Sequence, residues 1–371
     1  MAHPHAGRAD GAGQADGADP ADATDPTDPS DPADPSDGPD PADPGPDAVL
    51  GLDIGGTKLA AGVVGADGGV RSFLVAPTLV QEGVQAVLNR LFDLGRKAVE
   101  ASGTDPRHIA ATGIGCGGPL DPDAGIVLCP PHLPGWIDVP VTRLAEERYG
   151  RPAVLDNDAT AAAAGEHRFG AGTGARHMLY LTLSTGVGGG VVIDGRTYRG
   201  AAGNGGELGH VTVDRNGRHC RGCGRTGCLE AYASGTSIAE RAREAVAEAE
   251  AAGRPTALTG YEPLTAADVS HEAGADDPVA AEVWIATTQA LACGITSLVN
   301  VFEPERVVLG GGVTRAGEQL LAPVRRLVRE QAMGPAARAV RIVAARTGDR
   351  VGVVGAAAVA FERTGFPGYG G

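Results

Sequence analysis

The sequence predicts an α/β protein of two related domains, and three observations carry that expectation. Residues 48–64 read as a strand, a glycine turn and a second strand, and residues 178–193 repeat that layout. The turns that follow, Gly65-Ala66-Asp67-Gly68-Gly69 and Asp194-Gly195, each end the second strand and begin a third. A further glycine cluster, Gly310-Gly311-Gly312, follows the apolar strand Arg306-Val307-Val308-Leu309, with residues 278–301 upstream showing helical length and apolar spacing. Helix, strand and glycines in that order suit a domain whose loops meet a ligand at the carboxyl ends of its strands.

The chain has 371 residues and 42% hydrophobic content, enough for two cores. Its formal charge of -15 comes mostly from an arm over residues 1–47, where Asp, Pro, Ala and Gly recur in a loose three-residue rhythm. With almost no aliphatic side chain to bury, that Asp/Pro-rich tail is expected to be disordered. An N-terminal α/β domain is expected over 48–155 and a larger one over 156–371, whose last helix returns to the first. An acidic arm argues against binding nucleic acid, whose phosphates would repel it. No stretch is read as approaching the roughly 20 apolar residues of a membrane span, and no secretory layout opens the chain. A cytoplasmic location is therefore expected.

Glycine in both repeated turns lets backbone amides approach an anion, so turns from opposing domains can clasp a polyphosphate between them. Neither is a Walker loop, because each lies between two strands rather than before a helix. Leu155-Asp156-Asn157-Asp158-Ala159-Thr160 follows a short apolar run and opens an alanine-rich helical segment. Asn and Asp are favoured helix caps. The same pair can also grip a sugar hydroxyl with the amide and take its proton with the acid, and the two readings can coexist. Cys220, Cys223 and Cys228 crowd within nine residues, and His210 lies ten before the first. In a large reduced protein such a Cys₃His set points to structural zinc near residues 210–230 rather than to disulfides. His219, the alternative ligand, reads as a surface histidine.

Six ordered motifs carry a family resemblance: Asp53-Ile54-Gly55-Gly56-Thr57-Lys58, Gly115-Cys116-Gly117-Gly118-Pro119-Leu120-Asp121, Asn157-Asp158-Ala159, Gly206-Glu207-Leu208-Gly209-His210, Cys223-Gly224-Arg225-Thr226-Gly227-Cys228-Leu229-Glu230 and Gly310-Gly311-Gly312. Over about residues 48–362 the chain resembles the ROK family of bacterial sugar kinases and sugar-responsive repressors. The resemblance implies a two-domain actin/hexokinase-like ATPase fold with an inserted zinc-binding loop, and homo-oligomers of two or four chains. It implies that Asp158 is the general base and that Gly118, Asn157, Glu207, His210 and Glu230 hold the sugar. It further implies that Asp53 orients the Mg²⁺ of MgATP, that Gly55, Gly56, Thr57 and Lys58 form one phosphate turn and Thr185 and Gly186 the other, and that Gly310, Gly311 and Gly312 border the adenosine. Zinc on His210, Cys220, Cys223 and Cys228 would fix one nitrogen of His210 so that the other faces the sugar.

Two departures from the family pattern stand out. Arg221 and Gly222 both lie between Cys220 and Cys223, where the family has one residue, which leaves Cys220 open as a ligand. In Pro130-Pro131-His132-Leu133-Pro134-Gly135-Trp136, His132 stands where related glucokinases usually carry Asn; it is either solvent-facing or part of the site, and Trp136 is read as a buried loop anchor. The function expected is an ATP-dependent kinase of glucose at the 6-hydroxyl. Alternatives are fructose, mannose, N-acetylglucosamine or N-acetylmannosamine as acceptor and polyphosphate as donor. A sugar-sensing regulator would need a basic helical arm before residue 48, where this chain is acidic.

Overall fold

The computed structural model describes residues 45–366, so the expected acidic arm lies outside the described residues except for its last three positions. The first half runs β1 (Ala48–Ile54), β2 (Lys58–Gly65), β3 (Leu74–Pro77), α1 (Val84–Ser102), β4 (Ile109–Cys116), a short β5 (Leu120–Asp121) and β6 (Ile126–Val127) hairpin, α2 (Val141–Tyr149), β7 (Ala153–Asn157) and α3 (Asp158–Phe169). The second half runs β8 (Met178–Leu183), β9 (Val187–Ile193), β10 (Arg196–Tyr198), α4 (Glu230–Ala233), α5 (Gly235–Ala251), α6 (Ala266–Gly274), α7 (Pro278–Phe302), β11 (Arg306–Gly310), α8 (Glu318–Gln331), α9 (Gly334–Ala339), β12 (Arg341–Ala344) and α10 (Val351–Arg363).

Each half makes a five-stranded sheet, in the orders β3-β2-β1-β4-β7 and β10-β9-β8-β11-β12. The pairing senses match: β1 is antiparallel to β2 and parallel to β4, and β8 is antiparallel to β9 and parallel to β11. The repeated hairpins of the sequence are therefore the first strands of two sheets of one topology. Two-residue periodicity sorts their faces. Leu50, Leu52 and Ile54 of β1 pack with Val87, Leu88 and Leu91 of α1, while Val49 turns to Val353, Ala357 and Phe361 of α10. In the second sheet Leu179, Leu181 and Leu183 face the core that contains α7, and Met178 and Tyr180 face Ala162 and Ala163 of α3.

The covering helices are thus exchanged. α3 leaves the first sheet to pack on the second, and α10 leaves the second to pack on the first; between the sheets they contact each other. That crossing explains the alanines of α3. A Cβ on Gly355 would lie 2.5 Å from the backbone of Ala161, and one on Gly165 would lie 2.9 Å from the Cα of Gly355. Larger side chains would force the helices, and with them the sheets, apart.

One expectation is corrected here. α7 is 25 residues long with mean hydropathy 1.4, long and apolar enough by length and composition to cross a membrane. One face instead packs against α5, α6 and α8, with Val283, Leu291, Ile295 and Leu298 in the core, while Ile285 and Val301 are exposed. A helix packed against several neighbours carries a wide apolar face, which is why its composition resembles a span.

Candidate active site

The carboxyl ends of β1, β4 and β7 stand in register: Asp53 pairs with Gly115 and Gly115 with Asp156, then Ile54 with Cys116 and Cys116 with Asn157. No loop separates β7 from α3. Asn157 caps the helix, its Oδ1 accepting from Ala159 N at 3.0 Å and Thr160 N at 3.2 Å, which leaves its Nδ2 facing Gly118. Asp158 opens the first turn, accepts from Ala159 N at 2.8 Å and is exposed to solvent. Cap and acid therefore occupy adjacent residues and share the Ala159 N–H, while Thr160 N is bound by the cap alone.

Charge is concentrated at this corner. Burial first, and then the negative charge of Asp158, push the Asp53 carboxyl up to about 7 against an opposing pull from Lys58. Asp158 is also shifted upward by its enclosure among protein groups, opposed by the Ala159 N–H and by His132. Asp156 is fully buried; its Oδ1 accepts from Asn157 N at 2.9 Å and its Oδ2 from Arg199 Nε at 2.7 Å. Gly352, in the first turn of α10, lies so close to Asp53 that a Cβ there would overlap the carboxylate.

The first glycine turn is closed by Gly55 N donating to Lys58 O at 3.0 Å and is pinned by Thr78, whose Oγ1 donates to Gly55 O at 2.6 Å. Thr57 and Lys58 are exposed at its tip. His132 is half-buried against this turn. A Cβ on Gly117 would lie 2.5 Å from its Cε1, and one on Gly56 3.1 Å from its Cβ. Burial holds the imidazole below its ordinary pKa, with Asp158 opposing. Trp136 is 2% exposed in the first-half core and anchors its loop.

The second turn is closed by Ser184 N donating to Gly186 O at 2.9 Å. Glu230 Oε2 accepts from Val187 N at 2.9 Å and would lie 2.7 Å from a Cβ on Gly186, so a side chain there would displace that carboxylate. Beyond this turn opens a cavity of about 650 Å³ lined by Thr185, Thr236, Arg243, Ser270, Gly312 and Arg315, among others. Gly312 lines it. Gly311 is exposed beside it, whereas Gly310 is buried where a Cβ would meet the Tyr180 hydroxyl at 2.5 Å, so it shapes the strand end and does not border the cavity.

His210, Cys220, Cys223 and Cys228 converge, their donor atoms all within 4.8 Å of one another. Cys220 Sγ is 3.7 Å from His210 Nδ1, and Cys223 Sγ is 3.5 Å from Cys228 Sγ. A tetrahedron with Zn–S bonds of about 2.3 Å has S···S edges of roughly 3.8 Å, so the set fits zinc. Cys220 stands inside the cluster despite the extra residue, because Gly222 folds back against His210 and Glu230. His219 is exposed and outside it. The other ring nitrogen, His210 Nε2, points to Glu207, 3.8 Å from its carboxylate. Glu230 Oε1 is 3.4 Å from Cys220 Sγ, which ties the cluster to the second glycine turn.

Sequence reasoning missed Gly352, the cavity arginines Arg243 and Arg315, the Asp156–Arg199 pair and Asn204, whose Oδ1 faces the same opening beside Gly118 as Asn157 Nδ2. Each is brought in by chain-distant packing that leaves no local signal.

The sequence profile of the ROK family matches residues 49–363. A glucokinase from Thermotoga maritima is 37% identical over 317 residues, covering 85% of this chain and 98% of the relative. A ROK hexokinase structure from Thermus thermophilus superposes with TM-score 0.70 at 38% identity, covering 86% of this chain and 99% of the other. A ROK family glucokinase from Streptomyces griseus, in complex with glucose and AMPPNP, gives TM-score 0.70 at 34% identity over 84% of this chain and 98% of its own.

Proposed function

The chain belongs to the ROK family, and from that premise we propose that it is an ATP-dependent hexose kinase whose acceptor is the 6-hydroxyl of glucose. The observation that carries the reading is the β7–α3 corner, where an ionisable carboxylate, Asp158, sits beside an amide whose oxygen is already spent on the helix cap. Asp158 accepts the proton as the 6-oxygen attacks the γ-phosphorus, and ADP leaves with the bridging electron pair. Asn157 on one side and Glu207, His210 and Glu230 on the other hold the ring hydroxyls. The turns at Gly55–Lys58 and Thr185–Gly186 support the phosphates with backbone N–H groups, and the cavity at Thr185 and Gly312 takes the adenosine.

Asp53 is the residue suited to hold Mg²⁺, directly or through water, and the ion would neutralise charge on the transferred group. Burial resists ionisation of that carboxylate unless a cation is beside it, which suits it to the task. The four-donor cluster supports a structural zinc that fixes the tautomer of His210. A coupled ADP-release assay over a panel of hexoses and amino sugars, with ATP and polyphosphate compared as donors, tests the reading. Glucose with ATP is expected to give the highest kcat/KM, and no turnover with any hexose would refute it.

A further inference from the structure

We infer that Asn204 is a second carboxamide in the sugar site and helps set which hexose is accepted; this rests on the hexose-kinase reading and deepens it. Gly118 leaves an opening with a side chain from each half of the molecule on either side. The place its Cβ would occupy is 3.7 Å from Asn157 Nδ2 and 3.8 Å from Asn204 Oδ1. A donor and an acceptor thus both border the place that a side chain at residue 118 would fill.

Both amides are oriented by their other ends. Asn157 Oδ1 is engaged by Ala159 N and Thr160 N, so its Nδ2 points outward. Asn204 Nδ2 donates to Ala202 O at 2.7 Å, so its Oδ1 points outward. Their separation is also fixed by a continuous chain of bonds. Gly205 N donates to Arg199 O at 2.7 Å, Arg199 Nε to Asp156 Oδ2 at 2.7 Å, and Asn157 N to Asp156 Oδ1 at 2.9 Å. The Asp156 carboxylate in that chain is fully buried. The segment bearing Asn204 is therefore fastened at its base to the residue that bears the opposing amide.

Neighbouring hydroxyls of a pyranose match such a pair, one donating to Asn204 Oδ1 and the next accepting from Asn157 Nδ2. Inverting one ring carbon moves its hydroxyl off the line between the two amides and leaves a polar group unpaired, which is how sites built to hydrogen-bond a hydroxyl reject analogues. Asn204 is exposed and makes no core contact, so replacing it does not disturb the fold.

The test compares the parent chain with Asn204→Ala and Asn204→Asp, using glucose, its ring epimers and the monodeoxy glucoses. For Asn204→Ala, sugar KM is expected to rise about tenfold, the weight of one neutral hydrogen bond, while ATP KM stays within about twofold. The preference among epimers should narrow, and one monodeoxy glucose should lose nothing further on the variant. Asn204→Asp keeps acceptor oxygens but sets one of them against Ala202 O, so it loses the orienting bond and should raise sugar KM as the alanine variant does. Unchanged sugar KM and epimer ranking in Asn204→Ala, or in both variants, would overturn the role of Asn204 alone. A parent chain that phosphorylates no hexose would remove the underlying kinase reading instead.

Discussion

Replacing Asp158 by asparagine takes away a proton acceptor while leaving an oxygen where Ala159 N already donates at 2.8 Å. The helix start is thus kept, and the side chain keeps its volume. What changes is one negative charge at a corner where Asp53 is already driven up to about 7 by burial and by that same charge. Neutralising residue 158 relieves the repulsion, so the variant should melt at the same temperature as the parent or slightly higher in mildly alkaline buffer. Turnover should fall by about 10²–10⁴, roughly 3–5 kcal/mol of transition-state stabilisation, because the attacking hydroxyl keeps its proton until late. Sugar affinity should stay within about threefold, since grip rests on other groups. ADP release gives kcat, and calorimetric titration with glucose gives the dissociation constant. A variant that turns over within about threefold of the parent, with binding intact, would refute the assignment of Asp158 as base.

Glu166 is fully buried, with Oε1 accepting from Arg346 N at 2.8 Å and Thr347 N at 2.7 Å and Oε2 from Ala171 N at 2.7 Å. Glu166→Gln sets an NH₂ against one of those donors and should cost about 2–3 kcal/mol, read as a lower urea midpoint. Metal analysis of freshly purified protein should find one zinc per chain, and chelation or Cys228→Ser should lower the melting temperature and raise sugar KM through His210. In the absence of nucleotide and Mg²⁺, the elevated carboxyl of Asp53 means that the folded state holds a proton the unfolded chain releases. Its contribution is present below the ordinary value of 3.8 and is lost as pH rises through about 7, so melting temperature should decline over that window and decline less in Asp53→Asn.

The repeated hairpins were legible because strand alternation and glycine turns are local signals, and the cap at Asn157 because capping needs only its next three residues. The fate of His132 was not. Whether it faced solvent or the site depended on Gly56 and Gly117, which receive its backbone and ring from 76 and 15 positions away. Cys220 was open for the same reason, since spacing alone did not reveal that Gly222 could tuck against Glu230. The triple glycine was read as one unit, yet register splits it: Gly310 still pairs with Thr182 inside the sheet, and only the residues after it leave the strand. α7 shows the opposite failure: no stretch was read as approaching a span, yet its length and composition fit one, because a protein core and lipid select the same side chains.

The exchange of α3 and α10 accounts for why a duplicated sheet yields one corner of chemistry and not two. Each helix starts at the carboxyl end of the last strand of its own sheet and then crosses to cover the other sheet. α3 begins with its own carboxylate, Asp158, beside the cap, whereas β12 ends in Ala344 and α10 starts without a side-chain cap. Gly352 compensates by admitting the Asp53 carboxylate, donated by the first sheet, against the first turn of α10. Both helix N-termini therefore meet an acidic group, and each terminus carries about half a positive charge that offsets part of the cost of ionising it. In the proposed reaction a polyphosphate held by the glycine turns would bring a cation to Asp53, and Asp158 would take the proton of the acceptor hydroxyl. Any substitution that separates the helices at Gly165 or Gly355 should disturb both carboxylates at once, because the crossing point sets where both helices begin.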